Sequence, residues 1–510
     1  MNETNKVLLI GLDAAEPSLI EKWIAKGLLP NMRQLRERGA YSRIGSPDYH
    51  LVGLPWPTFY TGVNPGEHGI YHYLQWNPEK MRSERINQPW LPLYPFWRNF
   101  RDEDPRAIVI DVPLTPRTEE FNGIEINGWA THEVLVPLNT YPQDMLNWIE
   151  ENITISPWFE ERYGHFSSKE LLQTRDRLID ITKKVTLLTK SLMSSKNWDL
   201  FIVVYSATHR GGHKLWCRKD IDSDIFDDEE QAASQLLQEV YIACDNAIGD
   251  LISKVPDDVT VLVCSLHGMG INHSRTEILP EMLEKIVQHE TGQSASQRPK
   301  LLSRIRNMIP SSVRHAVKSR ITHRSQDALT SFWRMGGTDW NKSPVICLLG
   351  DYDGYLRINL KGRELKGIVE AGREYDGWIN KVSKGLSSFL DADSGEPIVK
   401  SVLRHEDLGF TGSNLFHLPD LVVKWRETPS FKHREIISPL YGSIPWPTPG
   451  RNLEGRSGNH RPQGFLIAKG DRFAPDSSLG PVEITDLAPT ILNILGLPIS
   501  SKMEGMIIRS

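Results

Sequence analysis

The sequence predicts an α/β fold in which a mostly parallel central sheet is covered by helices on both faces. Three continuous apolar runs, VLLIGL (7–12), FIVVYS (201–206) and VTVLVCSL (259–266), are typical of buried parallel strands. Two further candidates for strands of this kind are AIVIDVP (107–113) and GFLIAKG (464–470). These five runs predict the strands at the centre of the sheet.

Helical patterns lie between the predicted strands. They cover residues 17–39, 168–195 and 229–255. A chain in which strands alternate with helices is expected to form βαβ units, whose helices pack on the two faces of one sheet.

The 510 residues are expected to form a single α/β domain over residues 1–510. Within it we expect a helical cap segment at 129–200 and a basic, lid-like insertion at 274–345. The part from 298 to 324 has no acidic residue. It is interpreted either as a solvated basic hairpin or as a lid that brings positive charge to an anionic substrate.

Composition excludes several classes of function. The net charge is -5 and the pI about 6.4, so no global charge points to nucleic acid. No apolar run is long enough for a membrane span, and the first residues lack the pattern of a signal peptide. The four cysteines, Cys217, Cys244, Cys264 and Cys347, form no CxxC pair. We therefore expect a reduced, cytoplasmic protein.

Chemically active side chains follow several of the predicted strands. Asp13 comes after the first apolar run, His209 and His213 after the second, and His267 after the third, whereas His460 lies just before GFLIAKG. The carboxyl ends of the strands form the usual ligand-binding edge of such sheets. These residues are therefore expected to meet as a metal site, or alternatively to be loop residues with structural roles.

Six segments carry a resemblance to a known family. They are VLLIGLDAAEP (7–17), PWPTFYTGVNPGEHGI (55–70), VLVCSLHGMG (261–270), GYLRINLKGRE (354–364), NHRPQGFLIAKGD (459–471) and EITDLAPTILNILGLPISSKMEG (483–505). In this order they resemble the type I phosphodiesterase / nucleotide pyrophosphatase branch of the alkaline phosphatase superfamily. The resemblance covers most of the chain and implies an alkaline-phosphatase-like fold with inserted cap or lid segments.

The resemblance also implies a metal centre, because members of this family hold two divalent metals, usually zinc, at the strand ends. It assigns Asp13, Thr58 and His267 to one metal position, with Thr58 as the catalytic nucleophile. It assigns His213 and His460 to the other position.

Two positions depart from the family pattern. The family usually has Asp four residues before the ligand histidine, where this sequence has His209, and Asp before the other ligand histidine, where this sequence has Leu266. Imidazole is a good zinc ligand, so His209, His213 and His460 are expected to form a three-histidine metal site with an open position. Leucine cannot bind a metal, so the other position is expected to be weak or empty.

The altered ligands change the charge of the centre. Two divalent ions with Asp13 and a Thr58 alkoxide would sum to +2, so we expect both ions only when an anion such as phosphate bridges them. One ion among the three histidines is the alternative. Either arrangement favours anions, and Arg210, between His209 and His213, is a further candidate for contact with the substrate.

The sequence thus predicts a metal-dependent hydrolase or transferase that acts on a small phosphate (or sulfate-type) ester or diester. The attacking group would be a hydroxyl nucleophile or a metal-bound hydroxide, and the cofactor one or two divalent ions, expected to be zinc. The alternative is a non-catalytic, anion- or metal-binding pseudoenzyme. A decaying site has no reason to gain a histidine in register with two others, so His209 argues for the enzyme.

Overall fold

The computed structural model describes residues 5–45, 55–86, 91, 94–131, 135, 137–159, 164, 166–216, 228–293, 322–335, 339–428, 434–446 and 455–509. The basic segment 298–324 lies outside these ranges apart from its last three residues. Cys217 also lies outside them, whereas Cys244, Cys264 and Cys347 are buried free thiols.

The strands are numbered in chain order. They are β1 (Val7–Leu12), β2 (Ala40–Ile44), β3 (Leu74–Asn77), β4 (Arg82–Arg85), β5 (Ala107–Ile110), β6 (Gly123–Asn127), β7 (Asn139–Tyr141), β8 (Leu200–Tyr205), β9 (Thr260–Ser265), β10 (Gly268–Ile271), β11 (Val345–Leu348), β12 (Gly354–Ile358), β13 (Leu390–Asp391), β14 (Val399–Arg404), β15 (Leu421–Trp425), β16 (Glu435–Ser438), β17 (Gly442–Pro445), β18 (Gly458–Arg461), β19 (Gly464–Lys469) and β20 (Ser477–Ser478).

The α-helices of the described ranges are numbered in the same way. They are α1 (Pro17–Ala25), α2 (Pro30–Glu37), α3 (Pro55–Thr61), α4 (Pro65–His68), α5 (Met145–Asn152), α6 (Ser168–Ser195), α7 (Ala207–Leu215), α8 (Asp228–Ile252), α9 (Leu279–Thr291), α10 (His323–Arg334), α11 (Arg373–Ser387) and α12 (Leu487–Ile494).

The main sheet has nine strands in the order β20-β2-β19-β9-β1-β8-β5-β6-β7. Its centre, β9-β1-β8-β5-β6, is parallel throughout. Alternate residues of β1 enter two separate hydrophobic cores: Leu8 and Ile10 pack with α1, α2, α6 and α8, and Val7 and Leu9 with α3 and α12. This confirms the predicted α/β fold with a mostly parallel sheet and helices on both faces.

One predicted strand has the wrong direction. The run GFLIAKG forms β19, but β19 is antiparallel to both of its neighbours, β9 and β2. Burial on both faces makes the run apolar whichever way it points, so its composition does not reveal its direction. The direction matters for the site, because the beginning of β19 lies beside the carboxyl end of β9, where Phe465 pairs with Ser265.

Two of the predicted helical segments differ from the observed structure. The pattern at 17–39 is two helices, α1 and α2, because the chain turns at Gly27, whose φ of +74° is easily adopted by glycine. Within the expected cap at 129–200, α6 instead packs on the main sheet, with Ile181, Val185 and Leu188 buried in the same core as Leu8. Only the residues before α6 are left for a cap.

A second sheet forms away from the main one. Its order is β11-β12-β15-β14, all antiparallel, and it packs with α9 and α11 around a hydrophobic core of its own. The helix α10 is attached nearby through ion pairs of Arg85 with Asp327 and of Arg334 with Asp351. Among the described residues, none of the helices combines the length and the apolarity that crossing a membrane requires.

Candidate metal centre

The predicted site residues gather at the carboxyl edge of the main sheet. Asp13 follows β1, the helix α7 with its two histidines follows β8, and His267 follows β9. His460 reaches the same edge from the opposite direction, because it lies in β18, just before the antiparallel strand β19. The topology therefore brings together residues that are far apart in the sequence.

The segment with the two histidines is a helix rather than a loop. His209 and His213 are four residues apart in α7, so they lie one turn apart on one face. The glycines between them permit close packing: a Cβ on Gly212 would lie 2.5 Å from Cγ of Met269 in β10. A Cβ on Gly458 in β18 would lie 2.2 Å from the carbonyl oxygen of Gly212. Because glycine has no side chain, helix α7 and the β10–β18 pair lie closer together than larger residues at these two positions would allow.

The two strands of this pair carry the remaining histidines. They are antiparallel, with Met269 opposite His460, and His267 immediately precedes β10. The ring centroids of His267 and His460 are 4.8 Å apart. The pair therefore fixes both imidazoles against α7.

His209, His213 and His460, which we call the histidine cluster, meet around one point. Their ring centroids are 4.8 Å (His209 to His213), 5.1 Å (His209 to His460) and 5.0 Å (His213 to His460) apart. One nitrogen from each ring lies within 4.8 Å of the others. Such an arrangement of three imidazoles matches the donor set of a three-histidine metal site.

Hydrogen bonds assign the ring nitrogens of two of these histidines. Nδ1 of His213 lies 3.1 Å from the carbonyl oxygen of Gly458, and Nδ1 of His209 lies 2.9 Å from Oδ2 of Asp13. Both partners are acceptors, so both Nδ1 atoms carry hydrogen and both Nε2 atoms present lone pairs in the neutral rings. Those two Nε2 atoms are 3.0 Å apart. Two lone pairs at this distance repel unless a cation or a proton lies between them.

The third histidine has a buried nitrogen without a partner. Nδ1 of His460 forms no hydrogen bond within the described ranges, although the residue is only 6% exposed. Burial holds the pKa of both His213 and His460 well below the usual range, and the nearby charge of Arg456 lowers both further. The imidazoles of these two residues are therefore neutral at pH 7, which is the form that binds metals.

Asp13 lies beside the cluster as a hydrogen-bond acceptor. Its Oδ2 accepts from Nδ1 of His209, and its Oδ1 accepts from Nε1 of Trp56 at 2.9 Å. Its backbone carbonyl accepts from the hydroxyl of Thr208 at 2.6 Å, which joins the end of β1 to α7. Although burial opposes it, His209 lowers the pKa of Asp13 below its usual value, so the side chain is a carboxylate.

Thr58 is held by a different histidine. It lies one turn into α3, which begins at Pro55. Its Oγ1 is 3.0 Å from Nε2 of His68, whose Nδ1 accepts from the backbone N–H of Ile70 at 3.0 Å. His68 therefore carries its hydrogen on Nε2 and donates it to Thr58. Burial lowers the pKa of His68 to about 3, so this imidazole stays neutral.

His267 lies at the edge of the cluster. Its Nδ1–H donates to the carbonyl oxygen of Gly268 at 3.2 Å, so Nε2 carries the lone pair, 3.9 Å from Oδ1 of Asp13. The preceding Leu266 is 1% exposed and belongs to the core shared with α3 and α12. Burial lowers the pKa of His267 to about 4, although the charge of Asp13 opposes this.

Two arginines lie in or next to α7 and β18, Arg210 within α7 and Arg456 just before β18. Arg210 is buried against Phe159: its Nη2 donates to the carbonyl oxygen of Phe159 at 2.7 Å, and its guanidinium lies 3.7 Å from that ring. These contacts do not connect it with the histidine cluster. Arg456, which the sequence did not single out, lies beside His213 and His460 and 4.0 Å from Asp351. Its only signal in the sequence was its place four residues before His460.

Two complexes of one bacterial enzyme show the same fold, and a human structure aligns with a lower score. Phosphonoacetate hydrolase from Sinorhizobium meliloti 1021, in complex with phosphonoformate, has a TM-score of 0.52 and 12% identity, and 96% of each chain is covered. Its complex with phosphonoacetate gives 0.52 at 13% identity with 96% coverage of each. Human ectonucleotide pyrophosphatase / phosphodiesterase 5 gives 0.45 at 14% identity, covering 99% of this chain and 100% of the human one.

A comparison with curated proteins found no match. The family model described as type I phosphodiesterase / nucleotide pyrophosphatase matches residues 7–424. That range contains Asp13, Thr58, His209, His213 and His267, and it ends before His460. The sequence resemblance is thereby confirmed, and the chain belongs to the type I phosphodiesterase / nucleotide pyrophosphatase family.

Proposed function

We propose that the protein is a metal-dependent hydrolase or transferase of small phosphate esters or diesters, with its metal held by the histidine cluster. One observation carries the metal: the Nε2 lone pairs of His209 and His213 face each other at 3.0 Å, with both Nδ1–H groups already donated. The unpartnered Nδ1 of buried His460 supports it. Three histidines with an open position are a known arrangement for catalytic zinc, and imidazole also suits copper, iron and nickel.

The charges at the site favour an anionic substrate. A bound divalent metal would supply Lewis-acid polarisation of a phosphoryl oxygen and would make a bound water more acidic. Because imidazoles are neutral ligands, they leave the charge of the ion to nearby carboxylates, of which Asp13 is hydrogen-bonded to His209 and Asp351 acts on His460. The guanidinium of Arg456, 4.0 Å from Asp351, adds positive charge on the side of His213 and His460. A phosphate ester fits this field better than a neutral ester does.

Thr58 is the proposed nucleophile. The N–H of His68 donates to its Oγ1, and this hydrogen bond would stabilise negative charge on that oxygen. Among the described residues, no acceptor is seen for the hydroxyl hydrogen of Thr58. His68 is not a base for this hydrogen, because its remaining nitrogen already accepts from Ile70.

Metal analysis of the purified protein tests the proposal. We expect the wild type to contain zinc after zinc loading and dialysis, measured by inductively coupled plasma mass spectrometry, and His213→Ala to lose it. Hydrolysis of p-nitrophenyl phosphate and bis(p-nitrophenyl) phosphate should fall at least about 100-fold in the variant, since even outer-shell partners cost 10–100-fold. His289→Ala is the matched control, because that imidazole is exposed on α9. Unchanged metal content in His213→Ala contradicts the proposal.

A non-catalytic anion- or metal-binding protein is the second candidate. The observation in its favour is Leu266, which stands in the core where a metal-binding carboxylate would be expected. Turnover separates the two candidates: a zinc-loaded protein that binds phosphate but hydrolyses no monoester, diester, phosphonate or sulfate ester supports the second.

A further inference from the structure

We infer that the protein holds a single metal ion, and that Asp13 orients His209 and does not bind a metal itself. The inference rests on the proposed metal function of the histidine cluster. It concerns the other position, to which the family resemblance assigns Asp13, Thr58 and His267. The residues at that position do not fit a second ion.

The hydrogen bonds of Asp13 are the first observation. Its Oδ2 accepts from His209 at 2.9 Å and its Oδ1 accepts from the Trp56 indole at 2.9 Å, so each oxygen already has a donor. Trp56 is held in place by burial, since it is 2% exposed, and His209 is anchored by its position in α7. These two hydrogen bonds hold the carboxylate toward His209 and Trp56, and each oxygen keeps one further lone pair.

The role that remains for Asp13 is common in metal proteins. A histidine that binds a metal through one nitrogen usually donates its other N–H to a carboxylate or a carbonyl oxygen, which fixes the ring and makes it more basic. Asp13 does this for His209, and the carbonyl oxygen of Gly458 does it for His213. With histidine at position 209, Asp13 thus orients a metal ligand and does not bind the metal itself.

The other members of that position offer few ligand atoms. Leu266 is buried in apolar surroundings, and Oγ1 of Thr58 receives a hydrogen bond from His68. His267 is left as a single neutral donor. Two divalent ions about 4 Å apart would be compensated only by Asp13 and a Thr58 alkoxide, which leaves +2 in a buried site. The uncompensated charge and the small number of ligands both disfavour a second ion in the absence of a bridging anion.

Counting metals tests the inference without an activity assay. Apoprotein prepared with a chelator is titrated with Zn²⁺ by isothermal titration calorimetry, and bound zinc is counted after dialysis. We expect one tight site in the wild type and one in Asp13→Asn, with the affinity of the variant lowered about 10–100-fold. Two tight ions in the wild type that fall to one in Asp13→Asn would overturn the inference while leaving the proposed function intact. No zinc in the wild type would refute both.

A gain of function gives an independent test. The double variant His209→Asp, Leu266→Asp places carboxylates at the two positions where the family usually has them, and we expect it to bind two ions. The matched control, His209→Asn with Leu266→Asn, has similar size without charge and should not bind two. If the aspartate variant folds, as judged by circular dichroism, and still binds one ion, the assignment of the lost position to residues 209 and 266 is wrong. If it does not fold, the counts for the wild type and Asp13→Asn decide.

Discussion

At the scale of single residues, the chemistry depends on which nitrogen of each imidazole carries hydrogen. His68, His209 and His213 are each fixed by a partner on Nδ1: an N–H for His68, and oxygen acceptors for the other two. These two kinds of partner have opposite effects on Nε2. His68 presents a donor to Thr58, whereas His209 and His213 present lone pairs to each other. Histidines of equal appearance in the sequence thus have different functions.

Substitution of Thr58 tests its proposed role as nucleophile. Thr58→Ala removes the attacking oxygen, so we expect turnover to fall at least about 100-fold, whereas Thr58→Ser keeps the hydroxyl and should remain within about 10-fold. The structure places Thr58 outside the histidine cluster, so zinc content should be unchanged in both variants. Steady-state kinetics and metal analysis are the measurements. If Thr58→Ala is as active as the wild type, another group attacks the substrate.

The sequence predicted part of this site and could not predict the rest. The spacing of His209 and His213 is local and suggested a shared ligand set, but the family resemblance was needed to add His460 to it. The hydrogen bonds of Asp13 depend on tertiary contacts, with Trp56 and with His209, that no local pattern encodes. Arg456 was missed for the same reason, because its proximity to His213 is created by the packing of α7 against β18.

At the scale of elements, the site depends on the crossing of α7 and β18. The backbones touch where Gly458 meets the carbonyl oxygen of Gly212, and the same strand carries His460. The sequence predicted the apolar strands well, because continuous hydrophobic runs extend over whole buried strands. It did not give the direction of β19, and this direction is what brings His460 to the carboxyl edge.

Gly458→Ala tests this crossing. The new Cβ would lie 2.2 Å from the Gly212 carbonyl oxygen, so β18 must move away from α7 and carry His460 from His213. We expect zinc affinity to fall about 10–100-fold, comparable to the loss of an outer-shell partner, as measured by calorimetry. Gly377→Ala is the matched control, because its Cβ in α11 meets no atom within 4 Å. The control should raise stability by about 0.5–1 kcal/mol and leave zinc affinity unchanged. Equal zinc affinity in the two variants contradicts the argument.

At the scale of the whole molecule, the main sheet and the second sheet serve different purposes. The main sheet leads into α7, with His209 and His213, and the β10–β18 pair beside it carries His460, whereas the second sheet has its own core and contributes none of the three. Composition and length predicted one large α/β domain but did not reveal this second core. Charged residues interrupt its strands β12, β14 and β15, and its hydrophobic residues become contiguous only after folding.

The second sheet is stabilised by a buried ion pair that can be tested separately from the metal site. Asp420, 2% exposed, accepts from both terminal nitrogens of Arg363, from the backbone N–H of Ile358 and from the hydroxyl of Tyr375. Asp420→Asn would remove the carboxylate that faces both terminal nitrogens of Arg363, which would keep Glu364 as its remaining acidic partner. We expect a loss of about 3–5 kcal/mol in the free energy of unfolding at pH 7, measured by urea denaturation.

The pH dependence of this loss follows from the pKa of Asp420. Although burial opposes it, the hydrogen bonds and charge of Arg363 lower that pKa below its usual value, so the unfolded chain binds the proton more tightly than the folded protein. The stabilisation is therefore complete above about pH 5 and is lost as the pH falls below about 4. The difference in the free energy of unfolding between wild type and Asp420→Asn should be constant from pH 8 to about 5 and should shrink below that. Glu427→Gln, in an exposed pair with Lys400, is the control and should change little at any pH.

Because Asp420 lies outside the histidine cluster, zinc content should stay the same in both variants, and a loss of zinc in folded Asp420→Asn would show that the second sheet also supports the metal site.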